Sequence, residues 1–136
     1  METNLFTVEI TTPQKKWTFE NVISCSAPGV KGSFQVLYNH APLLSQLEIG
    51  SIKLETTDGI LFFATSGGFL EVLNNKVGML LDTAEKSDQI DVTRAGNAAE
   101  RARNRLKERA EDLDAARAEA SLARALNRLY VAQKTE

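Results

Sequence analysis

The first part of the chain alternates between apolar and polar residues with a period of two. Phe6, Val8 and Ile10 are separated by polar residues, which is the pattern of a half-buried β-strand. Further strand-sized runs follow at short intervals, with turn-forming residues between them. Strands spaced in this way are typical of an antiparallel β-sandwich or barrel. The further predicted strands are Trp17–Phe19, Val22–Cys25, Ser33–Leu37, Leu43–Leu47, Ser51–Thr56, Ile60–Thr65, Phe69–Leu73 and Val77–Leu81.

One turn is predicted more sharply than the others. Asp58-Gly59 separates two runs of alternating apolar residues, and this dipeptide is favoured in tight β-hairpins. We therefore expect the runs on either side of it to pair as neighbouring strands.

Beyond residue 89 the apolar residues recur with helical spacing instead. Leu122, Leu126 and Leu129 fall on one face of a helix. Asp88 or Asp91 is a suitable N-cap for a first helix. A short charged segment separates the two helices, so we expect an antiparallel hairpin. The predicted boundaries are a first helix to about Lys107, a turn at Glu108–Asp112 with Asp112 as a cap, and a second helix from Leu113 to about Val131.

Composition divides the chain at the same point. All three Pro and seven of the eight Gly precede residue 89, whereas twelve of the sixteen Ala follow it. The net charge changes as well, from -4 in residues 1–89 to +2 in residues 90–136. Turn formers in front and helix formers behind predict an α+β chain with two domains. We place a β-sandwich at residues 1–87 and a two-helix hairpin at residues 88–136.

The predicted hairpin has little apolar surface with which to hold itself in place. Burying a large apolar side chain contributes about 1.5–3 kcal/mol, and the first helix offers only Val92 and Leu106 besides its alanines. Ordering the backbone costs about 1–2 kcal/mol per residue, and Gly96 weakens the first helix by about 1 kcal/mol relative to Ala. The hairpin therefore needs the sandwich, a ligand or a partner protein to stay in place, and we expect it to move.

The residue census excludes several classes of function. A single Cys (Cys25) and a single His (His40) rule out a disulfide framework and a self-contained Cys/His zinc site. The sequence has neither a phosphate-loop motif nor a nucleophile motif, so we expect a non-catalytic chain, with Cys25 in the core and His40 in a loop. The net charge of -2 disfavours a dedicated nucleic-acid binder, and no apolar run approaches the roughly 18 residues of a membrane span.

Arginines are the candidate functional residues. Arg101, Arg105 and Arg109 are spaced four apart in the first helix, as are Arg124 and Arg128 in the second. Like charges at this spacing destabilise a helix by about 0.2–0.5 kcal/mol per pair, so a merely solvated helix usually alternates its charges. Two interpretations stay open: a solvated face, or a face that binds an anionic partner such as an acidic protein surface, a nucleotide phosphate or a nucleic acid.

Three blocks of sequence carry a resemblance to a known family. The blocks 29–44, 66–72 and 77–85 occur in this order and resemble the signature of the epsilon subunit of bacterial F-type ATP synthases. The resemblance extends over essentially the whole chain, since the strand-rich front and the Arg- and Ala-rich hairpin also match that family. Two positions depart from it, because the family usually has an acidic residue in place of Ser33 and Gly in place of Gln35.

The resemblance implies a flattened sandwich of about ten strands at the foot of a central rotor. The sandwich would bind the gamma subunit and the membrane c-ring, with Lys31, His40 and Pro42 in this rotor contact. The resemblance also implies a peripheral subunit on the cytoplasmic face of the bacterial inner membrane, without a nucleic-acid partner. Such a subunit is not catalytic itself, but it couples proton flow to ATP synthesis within the complex.

The hairpin of this family swings between a compact state on the sandwich and an extended state along gamma. The extended hairpin reaches the alpha and beta subunits and inhibits ATP hydrolysis through the acidic region of a catalytic beta subunit. The residues that the resemblance implies for this inhibitory contact are Arg103, Arg105 and Lys107.

The segment Ile90–Ala95 looks like the I/L-D-x-x-R-A motif of epsilon subunits that bind ATP in the compact state. The resemblance implies no required cofactor, but it implies ATP as a regulatory ligand, with Asp91 accepting from the adenine amine and arginines around the ribose and phosphates. The other interpretation is that the motif only caps and registers the first helix. The implied ATP site comprises Ile90, Asp91, Arg94, Ala95, Arg101, Arg124 and Arg128.

The leading interpretation is thus a non-catalytic rotor and regulatory subunit. The alternative is a free-standing β-sandwich interaction module that binds acidic partners through its Arg-rich helices. Co-purification with alpha, beta and gamma subunits would distinguish the two interpretations.

Overall fold

In the computed structural model, which describes residues 4–108 and 114–134, the described chain forms nine strands followed by two α-helices. A single 3-10 turn, Ser87–Gln89, connects the last strand to the first helix. The strands are β1 (Phe6–Thr11), β2 (Lys16–Gly29), β3 (Gly32–Val36), β4 (Leu43–Leu47), β5 (Gly50–Thr56), β6 (Gly59–Thr65), β7 (Gly68–Leu73), β8 (Lys76–Leu81) and β9 (Ala84–Lys86). The helices are α1 (Val92–Glu108) and α2 (Ala115–Ala132).

Strand β2 joins the two layers of the sandwich. Its first half pairs with β1, and its second half pairs with β5 on one edge and β3 on the other. Its last residue, Gly29, also pairs with Leu47 of β4. The pairing register shifts near Val22, where the extra residue of a bulge bends a strand and increases its twist. The two runs predicted as separate strands are therefore one unbroken strand of fourteen residues. The described part has nine strands in all, close to the roughly ten that the resemblance implied.

The predicted antiparallel sandwich is confirmed, with the exception of one parallel pair of strands. β1 lies between β2 and β8, and it pairs antiparallel with β2 but parallel with β8. In the same layer, β7 lies between β4 and β8 and runs antiparallel to both. Parallel strands cannot be joined by a short turn. The sequence between β1 and β8 therefore contains no turn motif from which their pairing could be predicted.

The hairpin predicted at Asp58-Gly59 is confirmed, with a shift of one residue in its turn. Thr56 pairs with Gly59, so the turn residues are Thr57 and Asp58. The Thr56 hydroxyl donates to the Gly59 carbonyl (2.8 Å) and accepts from the Asp58 N–H (3.1 Å). Gly59 begins β6 with a φ of +132°, a conformation that favours glycine. Strand β9, by contrast, was not predicted, because three residues are too short to show alternation.

The core lies between the two layers and is formed by the inward side of each alternating strand. Cys25 is fully buried there, as predicted, and burial raises the pKa of its thiol to about 12. A thiol of this kind stays protonated and unreactive at neutral pH. The most deeply buried side chains of the sandwich are Val8, Ile10, Val22, Val36, Ile52, Leu54, Phe63, Leu70, Val72, Val77 and Met79.

Both helices begin at an aspartate that caps the backbone. The Asp91 carboxylate accepts from the Arg94 N–H (3.0 Å). Of the two predicted caps, Asp88 and Asp91, it is therefore Asp91 that caps α1. The predicted start of α2 at Leu113 is wrong, because Asp114 has an extended backbone and its carboxylate accepts from the Arg117 N–H (3.1 Å). The predicted turn and its cap, Asp112, lie outside the described residues.

The two helices pack on each other through small side chains. The buried residues of α1 are all alanines, and α2 buries two alanines and a valine. Alanines allow close approach but bury little apolar area, so this interface contributes modestly to stability. In the described part of the chain, neither helix is long and apolar enough to span a membrane. The buried helical residues are Ala95, Ala99, Ala102, Ala118, Ala125 and Val131.

Candidate anion-binding site

A cavity of about 620 Å³ lies between the sandwich and the helices. Its walls come from the β1–β2 turn, from the ends of β6 and β9, and from both helices. The charged residues that line it are unequal in number, with four cations and one carboxylate. A concave surface with an excess of one sign of charge attracts ions of the opposite sign. The charged lining residues are Lys15, Glu85, Arg94, Arg124 and Arg128.

One turn of α2, comprising Asn127, Arg128 and Val131 and called here the docking turn, fixes the helices to the sandwich. The Arg128 guanidinium donates to both carboxylate oxygens of Glu85, at 2.6 and 3.0 Å. The Asn127 amide donates to the carbonyl of Gly50 at 2.8 Å. Val131 is fully buried in a small apolar cluster that includes Ala64 and Ile90. Three kinds of contact thus hold one turn of helix against the strands.

The other two helical arginines of the cavity have no acidic partner. The Arg124 guanidinium donates to the hydroxyl of Ser121 (3.1 Å), a neutral group on the same helix. Among the described residues, no carboxylate oxygen lies within 4 Å of the side-chain nitrogens of Arg94 or Arg124. These two guanidinium groups are therefore available to an anion that enters the cavity.

The structure brings together three of the four arginines predicted for an ATP site. Arg94, Arg124 and Arg128 line the cavity, but Arg101 is exposed on α1 and does not line it. Asp91 does not line it either, and its carboxylate caps α1. The remaining members of the predicted set, Ile90 and Ala95, are buried in apolar contacts.

Several residues of the cavity were missed by the sequence reasoning. Lys15 and Trp17 come from the β1–β2 region, Glu85 from β9 and Asn127 from the docking turn. Lys15, Trp17 and Asn127 lie far along the chain from the motif at residues 90–95, whereas Glu85 precedes the motif by five residues in a different element. The arginine excess of the helices and the motif both pointed to an anion, but neither carried information about the sandwich wall.

The residues predicted for the inhibitory contact lie together at the end of α1. Arg103, Arg105 and Lys107 are all exposed, and in the described residues no carboxylate oxygen lies within 4 Å of their charged nitrogens. Arg105 and Lys107 belong to the last turn, where cations interact favourably with the helix dipole. The helix dipole thus allows Arg105 and Lys107 to stabilise α1. The side chains of all three residues are accessible to an acidic surface.

The residues predicted for the rotor contact do not form one patch. Lys31 lies in the turn before β3, whereas His40 and Pro42 lie in the loop after it. The five residues of β3 separate these two ends by about 16 Å. The His40 loop is held by its neighbours, since the Asn39 N–H donates to the side-chain oxygen of Asn75 at 2.7 Å. The two predicted contacts therefore lie at opposite ends of β3.

An exposed apolar surface covers β4, β7 and β8 on the side away from the core, and we call it the outer face. Leu44 is 70% exposed, Phe69 52% and Leu80 67%. Phe69 and Leu80 stand directly opposite each other on paired strands. Large apolar side chains that lie side by side on an exposed surface commonly mark a protein interface. The sequence pattern did not reveal the outer face, because it assigned these residues only to strands.

Two family models account for the chain from end to end. The β-sandwich domain of the ATP synthase delta/epsilon chain matches residues 5–87, and the long α-helix domain of the same chain matches residues 88–133. The ATP synthase epsilon chain of Pelotomaculum thermopropionicum is 48% identical over 125 residues, which cover 92% of this chain and 93% of the relative. That of Salinibacter ruber is 47% identical over 135 residues, which cover 93% and 91%.

Solved structures have the same fold. A chain of the Euglena gracilis mitochondrial ATP synthase (OSCP/F1/c-ring) superposes with a TM-score of 0.77 at 21% identity, covering 90% of this chain and 78% of the other. The Tetrahymena thermophila mitochondrial ATP synthase (central stalk/c-ring) contains a match with a TM-score of 0.67 at 16% identity, covering 93% and 96%. The chain belongs to the ATP synthase delta/epsilon family, as an epsilon-type subunit that is not itself catalytic. Membership over the whole chain favours this interpretation over a free-standing interaction module.

The docking turn yields a prediction for Asn127→Ala. Losing the amide leaves the half-buried Gly50 carbonyl without this donor, which costs about 1–2 kcal/mol in the docked state. We expect hydrogen exchange of the α2 amides to accelerate about tenfold or more in the variant. Asn104→Ala, at an exposed position of α1, is the matched control and should leave exchange unchanged. Equal exchange in both variants would show that Asn127 does not hold the helix.

Proposed function

We propose that this subunit attaches to the gamma subunit and the c-ring through its sandwich, and that its helices regulate ATP hydrolysis. The outer face is the observation that carries the first part, because an exposed apolar sheet surface costs free energy until a partner covers it. Gamma is the partner that we assign to the outer face. Lys31 at one end of β3, and His40 with Pro42 at the other, extend the contact toward the rotor.

The helices are suited to a regulatory role by the way in which they are attached. The docking turn supplies specific contacts, whereas the alanine interface between α1 and α2 supplies little apolar area. A hairpin attached mainly through one turn can leave the sandwich without unfolding it. Once released, Arg103, Arg105 and Lys107 would bind the acidic region of a beta subunit and inhibit hydrolysis.

ATP is the ligand that we assign to the cavity. The residues present fit its polyphosphate chain, since Arg94 and Arg124 are unpaired guanidinium groups and Arg128 stands beside them. Bound ATP would supply no chemistry here and would act as a regulatory ligand that stabilises the compact state. Asp91 is engaged as a helix cap, so the structure supports a phosphate site more strongly than the expected adenine contact.

The cellular location follows from the proposed partners. The curated relatives named above are bacterial, and a subunit bound to gamma and the c-ring is peripheral to the membrane. We therefore place the chain on the cytoplasmic face of the bacterial inner membrane, as part of the ATP synthase complex.

Leu80→Asp tests the outer face. A carboxylate in the middle of an apolar interface must be desolvated on binding, so we expect the affinity for purified gamma to fall about tenfold or more. The variant should fold normally, because the Leu80 side chain is 67% exposed. Val92→Asp, at an exposed position of α1, is the control. Gamma binding that is equally strong in both variants would assign gamma to another surface.

Arg94→Ala and Arg101→Ala test the nucleotide site as a pair. Arg94 lines the cavity and Arg101 does not, so Arg94→Ala should weaken ATP binding about tenfold or more, whereas Arg101→Ala should leave it nearly unchanged. Isothermal titration calorimetry of the full chain measures both. Absence of binding by the parent at millimolar ATP would refute the nucleotide site, and equal losses would place the ligand elsewhere.

A triple variant tests the inhibitory contact. Replacing Arg103, Arg105 and Lys107 with Gln should relieve inhibition of ATP hydrolysis in the assembled complex, because the extended helix loses its attraction to acidic residues. The measurement is the hydrolysis rate at low ionic strength, where charge attraction is least screened. The double variant Arg117→Gln/Lys134→Gln removes one charge from α2 and one from the segment that follows it, and serves as the control. An unchanged rate in the triple variant would contradict the proposal.

A further inference from the structure

The β1–β2 turn presents a lysine to the cavity from a well-ordered backbone. The Thr12 N–H donates to the Lys15 carbonyl (2.8 Å), and the Thr12 hydroxyl accepts from the Lys15 N–H (3.1 Å). The Gln14 N–H donates to the same hydroxyl at 3.3 Å. A side chain that accepts from its own turn in this way restricts the conformations of that turn. The backbone of Lys15 is thus held in place although its side chain is exposed.

The Lys15 ammonium rests on an aromatic wall of the cavity. Its Nζ lies 4.9 Å from the centre of the Trp17 ring, within the range of a cation–π interaction. Trp17 in turn packs edge-on against the buried Phe63, with ring centres 5.3 Å apart. Both Lys15 and Trp17 line the cavity. The aromatic ring therefore keeps the ammonium at the cavity wall.

Lys15 differs from its neighbour Lys16 in having no acidic partner. Lys16 Nζ lies 3.4 Å from a carboxylate oxygen of Glu9, and Lys16 does not line the cavity. In the described part of the chain, no carboxylate oxygen lies within 4 Å of Lys15 Nζ. Three unpaired cations from three elements thus surround one space: Lys15 from the β1–β2 turn, Arg94 from α1 and Arg124 from α2.

We propose that Lys15 binds the phosphate groups of the nucleotide together with Arg94 and Arg124, so that the ligand ties the sandwich to both helices. This inference rests on the proposed nucleotide function and adds a binding residue from the sandwich side. Converging like charges repel one another, and a polyphosphate removes that repulsion while bridging the elements. Lys15 supplies a compact point charge, and the arginines supply the planar, bidentate contacts.

The test compares Lys15→Gln with Lys16→Gln in the full chain. Calorimetric titrations use ATP and, separately, inorganic tripolyphosphate. We expect Lys15→Gln to weaken binding of both ligands about tenfold, whereas Lys16→Gln binds both like the parent. The emission of Trp17, the only tryptophan in the sequence, should change when either ligand draws Lys15 off its ring, and this change should vanish in Lys15→Gln. Thermal unfolding without ligand checks that both variants are folded.

The other possible results would contradict the role of Lys15 or the nucleotide function as a whole. If the parent binds and Lys15→Gln binds both ligands as tightly as Lys16→Gln does, Lys15 is not a ligand, and the nucleotide function stands without it. If Lys15→Gln weakens ATP but not tripolyphosphate, the assignment of Lys15 to the phosphates is wrong. If the parent binds neither ligand, the proposed nucleotide function fails and the role of Lys15 fails with it.

Discussion

The position of the helices depends on the docking turn of α2. Its three side chains make different kinds of contact with the strands: an amide on a backbone carbonyl, a bidentate ion pair and a buried valine. The alanines between α1 and α2 cannot substitute for these contacts, because small side chains bury little apolar area. Once the docking turn is lost, the groups that faced it are exposed to water together. The hairpin is therefore attached to the strands mainly through this one turn.

The ion pair in the docking turn also links attachment to ligand binding. Arg128 is bound by Glu85 in this structure, yet it lines the same cavity as the unpaired Arg94 and Arg124. A phosphate that approaches all three arginines competes with the Glu85 carboxylate for one of them. Glu85 thus supplies a negative charge that stabilises the compact arrangement without a nucleotide. Under the proposed nucleotide function, the affinity of the cavity would depend on how much of that attraction the phosphates replace.

The surfaces assigned to the rotor and to the nucleotide lie on different layers of the sandwich. The outer face belongs to β4, β7 and β8, whereas α2 packs against β5 and β6 in the other layer. A rigid core of buried aliphatic and aromatic side chains separates them. A partner on the outer face would therefore leave the cavity open. Under the proposed function, this separation would let the subunit stay bound while its helices change position.

Much of the fold followed from periodicity alone. The alternation in β1, the turn chemistry between β5 and β6, and the helical spacing after residue 89 are local properties, and local sequence records them. Pairing of distant strands is different: the parallel pair β1–β8 and the continuity of β2 through both layers depend on contacts between residues far apart in the chain. The start of α2 at Ala115 likewise followed from the backbone of Asp114, since Asp112 and Asp114 were equally suitable caps by sequence.

The candidate site, like the fold, was predicted only in part from the sequence. The excess of arginine and the motif at residues 90–95 predicted that the helices bind an anion, because charge and motif can be read directly from the sequence. Only the tertiary structure decided which groups share the cavity, bringing Lys15 and Glu85 beside Arg94, Arg124 and Arg128 while leaving Arg101 outside. Helical spacing specifies which residues of one helix share a face. It does not specify the distance from that face to a turn some eighty residues earlier, which depends on how α2 packs against the strands.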